Sequence, residues 1–409
     1  MVPPASSLRS HVSWAFAGNS IYAAGQWAIL SLFAKLGGSE MLGQYALAVA
    51  IVSPILMLSH LNLRAVLATD MGKQHPFGDY LTVRLGATGI GLAAIAALAF
   101  GHSPILAGTI VGAGLAQSAE NISDIYYGAM QRRERMDRIA ISMIARAVVS
   151  VAAVATALAL TGSILFAVGA LAVARAAVLL AYDRPSGAAG EALAGDGYRA
   201  QISIVRTALP LGIVLMLASL NANLPRYAIE HYLSLAQLGG FAAAASFVTI
   251  GGTVVNAMGQ AATPRLARYF EERNWHEFHR LALRLTALAL ALGAAGVLVA
   301  LGLGRLLLRV VYRPEFEQYT GILTATMAAG VVGYAASMLG YVVTSARAFD
   351  PQLPLFCAVA AACGAAAWIL VPRLGLAGAP AALGVAAVLQ VSGEVLILRR
   401  AIARRRLAA

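Results

Sequence analysis

Apolar residues run along this chain in long blocks, separated by short polar or glycine-containing breaks. A helix that crosses a bilayer needs roughly 20 mostly apolar residues. Twelve blocks meet that requirement: 12–34, 41–63, 82–101, 104–128, 139–160, 163–182, 205–226, 236–262, 282–303, 319–345, 353–371 and 375–398. Turn signals divide the tighter pairs: Gly37-Gly38, His102-Ser103-Pro104, Thr161-Gly162-Ser163, and Pro372 to Gly375. The pattern predicts an all-α polytopic membrane protein of about twelve transmembrane helices.

Composition agrees. Hydrophobic residues make up 60% of the chain and charged residues 12%, against about 25% charged in a soluble domain. Cys357 and Cys363 are the only cysteines; six apart in an apolar run, they face different sides of a helix. That spacing excludes a zinc site and a local disulfide, so no metal is expected. Met1 to His11 is a short polar segment, and the apolar run after it is too long for a signal peptide.

The net charge of +12 invites a nucleic-acid reading, but its distribution opposes one. With the N-terminus inside, cytoplasmic stretches hold 22 of the 30 Lys and Arg residues and external stretches six, with Arg146 and Arg175 left inside spans. The positive-inside rule therefore places both termini in the cytoplasm. Arg305, Arg309 and Arg313 run against it, beside Glu315 and Glu317.

An internal repeat divides the chain. Leu42-Gly43-Gln44-Tyr45-Ala46 matches Leu238-Gly239-Gly240-Phe241-Ala242, and Leu81 to Leu85 matches Leu281 to Leu285, at offsets of 196 and 200. Six spans per unit is even, so the halves cross in the same direction, related by an axis along the membrane normal. The Gly/Ala/Pro-rich stretch from Asp183 to Arg199 lies at the midpoint. The expected organisation is an N-terminal lobe (1–182), a cytoplasmic linker (183–204) and a C-terminal lobe (205–409).

Ionisable groups inside a membrane are costly unless paired or wet, so each marks a candidate site. The fourth predicted span carries Glu120, Asp124 and Tyr127 on one helical face. Arg146, Arg175 and Arg64 reach similar depth on neighbouring spans. One reading is a polar cavity in which arginines meet an anionic headgroup and Glu120 or Asp124 carries a proton or sodium ion. The other is a structural pair between Arg146 and Glu120 or Asp124. Two carboxylates four residues apart repel, which favours protonation of one. The seventh span offers Asn221, Asn223, Pro225 and Arg226 near the external face, as substrate contacts or as a capped helix end. Asn19, Gln26, Asn256 and Gln260 are amides of the kind that join helices. Glu394 is expected to pair with Arg399. No P-loop is present, and the external loops are too short to carry the acid and base residues of an enzyme.

The chain resembles the polysaccharide (O-antigen type) flippases of the multidrug/oligosaccharidyl-lipid/polysaccharide (MOP) exporter superfamily. The residues that carry the resemblance are Asn19 through Leu42-Gly43-x-Tyr45, Asn62-Leu63-Arg64 with Ala68-Thr69-Asp70, and Glu120, Ser123-Asp124 and Tyr127-Gly128. Arg132-Arg133-x-Arg135-Met136, Ser142 and Arg146 continue it, as do Leu220-Asn221-x-Asn223-Leu224-Pro225-Arg226-Tyr227 and Tyr312-x-Pro314-Glu315-Phe316. The resemblance implies two six-helix lobes forming a V around a cationic cavity. It also implies a non-enzymatic secondary transporter of the bacterial inner membrane, without a cofactor, coupled to an H+ or Na+ gradient. Its substrate would be an oligosaccharide on undecaprenyl pyrophosphate, moved from the inner to the outer leaflet by alternating access. Membrane lipids, and a polymerase and chain-length regulator of the glycan pathway, are candidate partners. Arg64, Arg146, Arg175 and Arg226 are the candidates for pyrophosphate and acidic sugars, since guanidinium groups bind phosphate bidentately. The alternatives are a drug/cation antiporter of the same superfamily, which would want an acidic cavity, and a membrane oligosaccharide polymerase or glycosyltransferase.

Overall fold

A computed structural model describes the backbone of residues 8–70, 75–348 and 351–407, and the side chains of 13–68, 70, 75–348 and 351–405. Lys73 and the side chains of Arg9 and Arg406, which enter the charge count by topology, lie outside the described residues. The fold is all-helical. In chain order the helices are α1 (Leu8–His60), α2 (Leu63–Thr69), α3 (Phe77–Ala99), α4 (Pro104–Arg132), α5 (Met136–Thr161) and α6 (Ile164–Val178). A π turn, Leu179–Asp183, leads into α7 (Arg184–Ala188). Then come α8 (Tyr198–Tyr232), α9 (Leu235–Glu271), α10 (Trp275–Val311), α11 (Thr320–Ser345), α12 (Gln352–Leu374) and α13 (Gly378–Leu407).

α1 is two helices joined at Gly38, whose φ of 77° and ψ of −174° are open to glycine and costly for other residues. The chain reverses there: the rings of Phe33 and Tyr45 stack with centroids 4.3 Å apart, whereas a straight helix would separate them by about 18 Å. Among the described residues, nine stretches are long and apolar enough to cross a membrane. Two of them, Ser13–Ala68 and Gln352–Arg405, have the length for two crossings each. α4, whose second half is polar, is not among the nine.

The chain forms two compact units, Met1–Ser219 and Leu220–Ala409, dividing inside α8. In the first, α4 packs on α1, α3 and α6, and α5 packs on α1 and α6. Small residues permit this: a Cβ on Gly18 would sit 2.8 Å from the Ala140 Cα, and one on Gly112 2.5 Å from Val168. In the second unit, α11 packs on α9, α10 and α13, and α12 on α13. The pairings of α11 with α9, α10 and α13, and of α12 with α13, correspond to those of α4 with α1, α3 and α6, and of α5 with α6.

The segment 183–204 is fastened to the first unit. Arg133 donates to the carbonyls of Ser186 and Gly187 at 3.0 and 2.8 Å, closing the end of α7. Arg132 meets Glu191 at 2.5 Å. Buried Asp79 accepts from the Asp196 amide at 2.8 Å and from Gln201 at 3.2 Å. Composition suggested a plain linker here because Gly, Ala and Pro give no sign of the partners that hold them.

Candidate functional site

α1 ends at His60, and Leu61 and Asn62 take left-handed conformations (φ 50° and 49°) before α2 begins. The break aims both His60 and Arg64 at α4. Asp124 receives them: its carboxylate lies 2.9 Å from His60 Nε2, 3.4 Å from Arg64 Nη1 and 3.5 Å from Arg84 Nη2. Arg84, from α3, is wholly buried, and its guanidinium nitrogens make no hydrogen bond. Arg64 Nε donates to Gln131 at 3.0 Å.

One turn toward the N-terminus of α4, Glu120 pairs with Arg175 of α6 at 2.8 Å. The Glu120 carboxylate also accepts from the Tyr22 hydroxyl. Gln26 closes the group: its amide nitrogen donates to Tyr22, and its oxygen accepts from Arg175 at 3.0 Å. Gln26 thus joins helices, as amides of its kind were expected to, but it does so inside the charged cluster.

Arg146 takes neither Glu120 nor Asp124 as its partner. Its Nη2 donates to Asp183 at 2.7 Å, with both side chains buried. Ser142 also donates to Asp183 and is itself 2.7 Å from the Tyr127 hydroxyl. The π turn explains the change of partner. Its wider i→i+5 winding turns Asp183, expected in a solvated linker, into the helix packing. The Arg64 and Arg146 guanidinium groups both approach the Tyr127 ring, 5.6 and 5.5 Å from its centroid, within cation–π range.

These groups surround a cavity of about 180 Å³ lined by Tyr22, His60, Arg64, Glu120, Asp124, Tyr127 and Arg146, among others. Four arginines (64, 84, 146 and 175) meet three carboxylates (Glu120, Asp124 and Asp183). The structure therefore brings Arg64, Arg146, Arg175, Glu120 and Asp124 into one cluster. Asn221, Asn223 and Arg226 belong to the second unit and form their own group, in which Arg226 donates to Asn223 at 2.9 Å. Pro225 deprives the Asn221 carbonyl of its helical donor, and the Cys363 thiol approaches that oxygen at 3.6 Å. Glu394 does not pair with Arg399. Five residues on a helix place the two about 140° apart around the axis, and Glu394 accepts instead from Gln390 at 3.0 Å.

His60, Arg84, Tyr22 and Asp183 were absent from the sequence-based candidates. Tyr22 and Gln26 do share a face at i, i+4. Nothing in the sequence marks the π turn that buries Asp183.

Residues 121–270, which include Asp124, Arg146, Arg175 and Arg226, match the family of polysaccharide biosynthesis proteins. The capsular polysaccharide biosynthesis protein CapF of Staphylococcus aureus is 26% identical over 316 residues, 76% of this chain and 79% of that protein. Among solved structures, an inward-facing multidrug resistance MATE family transporter of the MOP superfamily matches with a TM-score of 0.78 at 14% identity, covering 97% of this chain and 100% of that one. The lipid II flippase MurJ, in an inward closed conformation, matches with a TM-score of 0.72 at 10% identity, covering 95% and 87%. The chain is a membrane protein with the fold of the MOP exporter superfamily. In sequence it is similar to polysaccharide biosynthesis proteins.

Proposed function

We propose that this chain is a non-enzymatic secondary transporter of the bacterial inner membrane. It flips an oligosaccharide carried on undecaprenyl pyrophosphate from the inner to the outer leaflet. The observation that carries the reading is the cluster of four guanidinium groups among three carboxylates in the first unit, of which Arg64 and Arg146 line the cavity beside Glu120 and Asp124. A pyrophosphate headgroup suits bidentate arginine contacts. About 180 Å³ is below the roughly 300–1,000 Å³ of a site that encloses a drug-sized ligand. It suits the phosphates, with the sugars lying outside it and the lipid tail left in the bilayer.

In this reading twelve helices form two lobes in a V, 1–182 and 205–409, joined by 183–204, with both termini cytoplasmic. Access alternates as the lobes rock. Glu120 or Asp124 carries the coupling H+ or Na+, and Arg226 with Asn221 and Asn223 contacts the glycan in the second lobe. The likeness to CapF and to a lipid II flippase supports a lipid-linked glycan as cargo. The test is deletion of the chain in its host, followed by analysis of lipid-linked oligosaccharide. Repeat units that accumulate facing the cytoplasm, with surface polysaccharide lost, are the expected result. Single units that reach the outer leaflet unpolymerised would move the assignment to a polymerase.

The likeness to a multidrug transporter over nearly the whole chain, with Glu120 partly open at the cavity, favours a drug/cation antiporter as the second reading. Unchanged glycan pools with altered drug sensitivity would select it.

A further inference from the structure

Glu394 stands apart from every charged group described so far. It lies on α13 within the second unit and is 2% exposed. Its Oε1 accepts one hydrogen bond, from Gln390, and its Oε2 has no hydrogen-bond partner. α11 closes over it at Gly340, where an added Cβ would sit 3.2 Å from Oε1. α12 closes over the adjacent Gly393 with Leu355. The carboxyl therefore sits in a dry seam between three apolar helices.

No cation among the described residues faces it. α11 holds no Asp, Glu, Lys, Arg or His. Of its tyrosines, Tyr334 donates to the Val248 carbonyl on α9 at 2.6 Å, and the Tyr341 ring lies against Gly259 of α9. On α12, Arg373 is exposed, Cys357 is exposed, and Cys363 is directed to Asn221. On α13 itself, Arg399, Arg400, Arg404 and Arg405 are exposed, with Arg405 over the Phe270 ring. A carboxylate buried without a counter-charge costs several kcal/mol, and a carboxylic acid avoids that by keeping its proton.

We propose that Glu394 is a proton-binding site of the second unit, separate from the acids of the first. While α11 and α13 are packed, the site holds one proton on the carboxyl group. When water reaches the seam the O–H bond breaks, the proton passes to water, and the carboxylate left behind opposes closure. The inference does not depend on the nature of the cargo.

Two measurements on the full chain in detergent or proteoliposomes test it. Dicyclohexylcarbodiimide adds to protonated carboxyl groups in apolar surroundings, so it should label Glu394 at neutral pH, as read by peptide mass spectrometry. Glu394→Gln should lose the label. Labelling should fall about tenfold per pH unit once the medium is alkaline enough to strip the proton.

The second measurement is thermal stability against pH, which does not require reagent access. A carboxyl kept neutral by folding is stable in acid and loses stability as pH rises. The wild-type Tm should therefore fall as pH rises above the ordinary carboxyl range of about 4, while Glu394→Gln, a neutral mimic of the acid, removes that component. Equal pH slopes in wild type and Glu394→Gln would overturn the proposal, whatever the labelling. Labelling with no pH dependence as pH rises would overturn it as well.

Discussion

α4 and α11 occupy matching places in the two units. Each packs on the helix before it, on the second helix after it, and on an earlier helix of the same unit. Their side chains do opposite things. α4 presents Glu120, Asn121, Asp124 and Tyr127, of which Glu120, Asp124 and Tyr127 reach side chains on other helices. α11 carries no formal charge, and its Tyr334 and Thr326 hydroxyls donate to backbone carbonyls. One arrangement of helices thus supports a charged cavity in the first unit and a dry joint in the second. The scaffold does not dictate where the chemistry sits; a few polar substitutions along one helix do.

The largest effect should come from the buried pair that anchors the charged side. Arg146 and Asp183 are 2% and 0% exposed and 2.7 Å apart. Removing one partner leaves the other buried and uncompensated, at about 3–5 kcal/mol. Asp183→Ala and Arg146→Ala should each lower thermal stability steeply, and the double variant should lose less than the sum of the two. Additive losses would show that the two do not act as a pair.

Export divides the units next. Arg175→Ala removes the guanidinium that holds Glu120 and Gln26, and is expected to abolish surface glycan while the protein is still expressed. Arg146→Ala should abolish export too, though its structural cost must be separated by measuring the amount in the membrane. Normal surface glycan in both variants would remove these residues from the site.

Much of this contrast between the units is legible in the amino-acid sequence. The apolar blocks and the break at Gly37-Gly38 follow from bilayer thickness and from the backbone freedom of glycine, both of which are written in local sequence. The repeat markers at Leu42 and Leu238 anticipate the corresponding pairings. The ionisable groups of the cluster are legible because charge inside an apolar block is conspicuous. Their partners are not, because pairing depends on helix rotation and depth. A one-residue widening of a turn puts Asp183, rather than Glu120 or Asp124, against Arg146. Arg84 escapes notice because it stands near the start of its helix, where a basic residue ordinarily reaches water; here it is wholly buried.

A smaller and sharper test removes one hydroxyl from each side. Tyr127 bonds Ser142 at 2.7 Å and lies beneath two guanidinium groups. Tyr334 bonds the Val248 carbonyl at 2.6 Å. Each Tyr→Phe change should cost about 0.5–1.5 kcal/mol, the net worth of a typical hydrogen bond. Export should fall only in Tyr127→Phe. Equal loss in Tyr334→Phe would mean that the α11 joint itself takes part in export.

The smallest effect is expected where α10 turns into α11 in the second unit. There the basic residues that break the charge rule meet the acids of the turn before α11. Arg309 lies 3.6 Å from Glu317, with the two side chains 64% and 34% exposed. A pair this open contributes at most about 1 kcal/mol, because water screens it and two long side chains must be held in place. Arg309→Ala should therefore leave stability within about 0.5 kcal/mol of wild type and export unchanged. If surface glycan were lost in that variant with stability intact, the turn between α10 and α11 would carry chemistry. The polymerase reading would then return with a specific residue behind it.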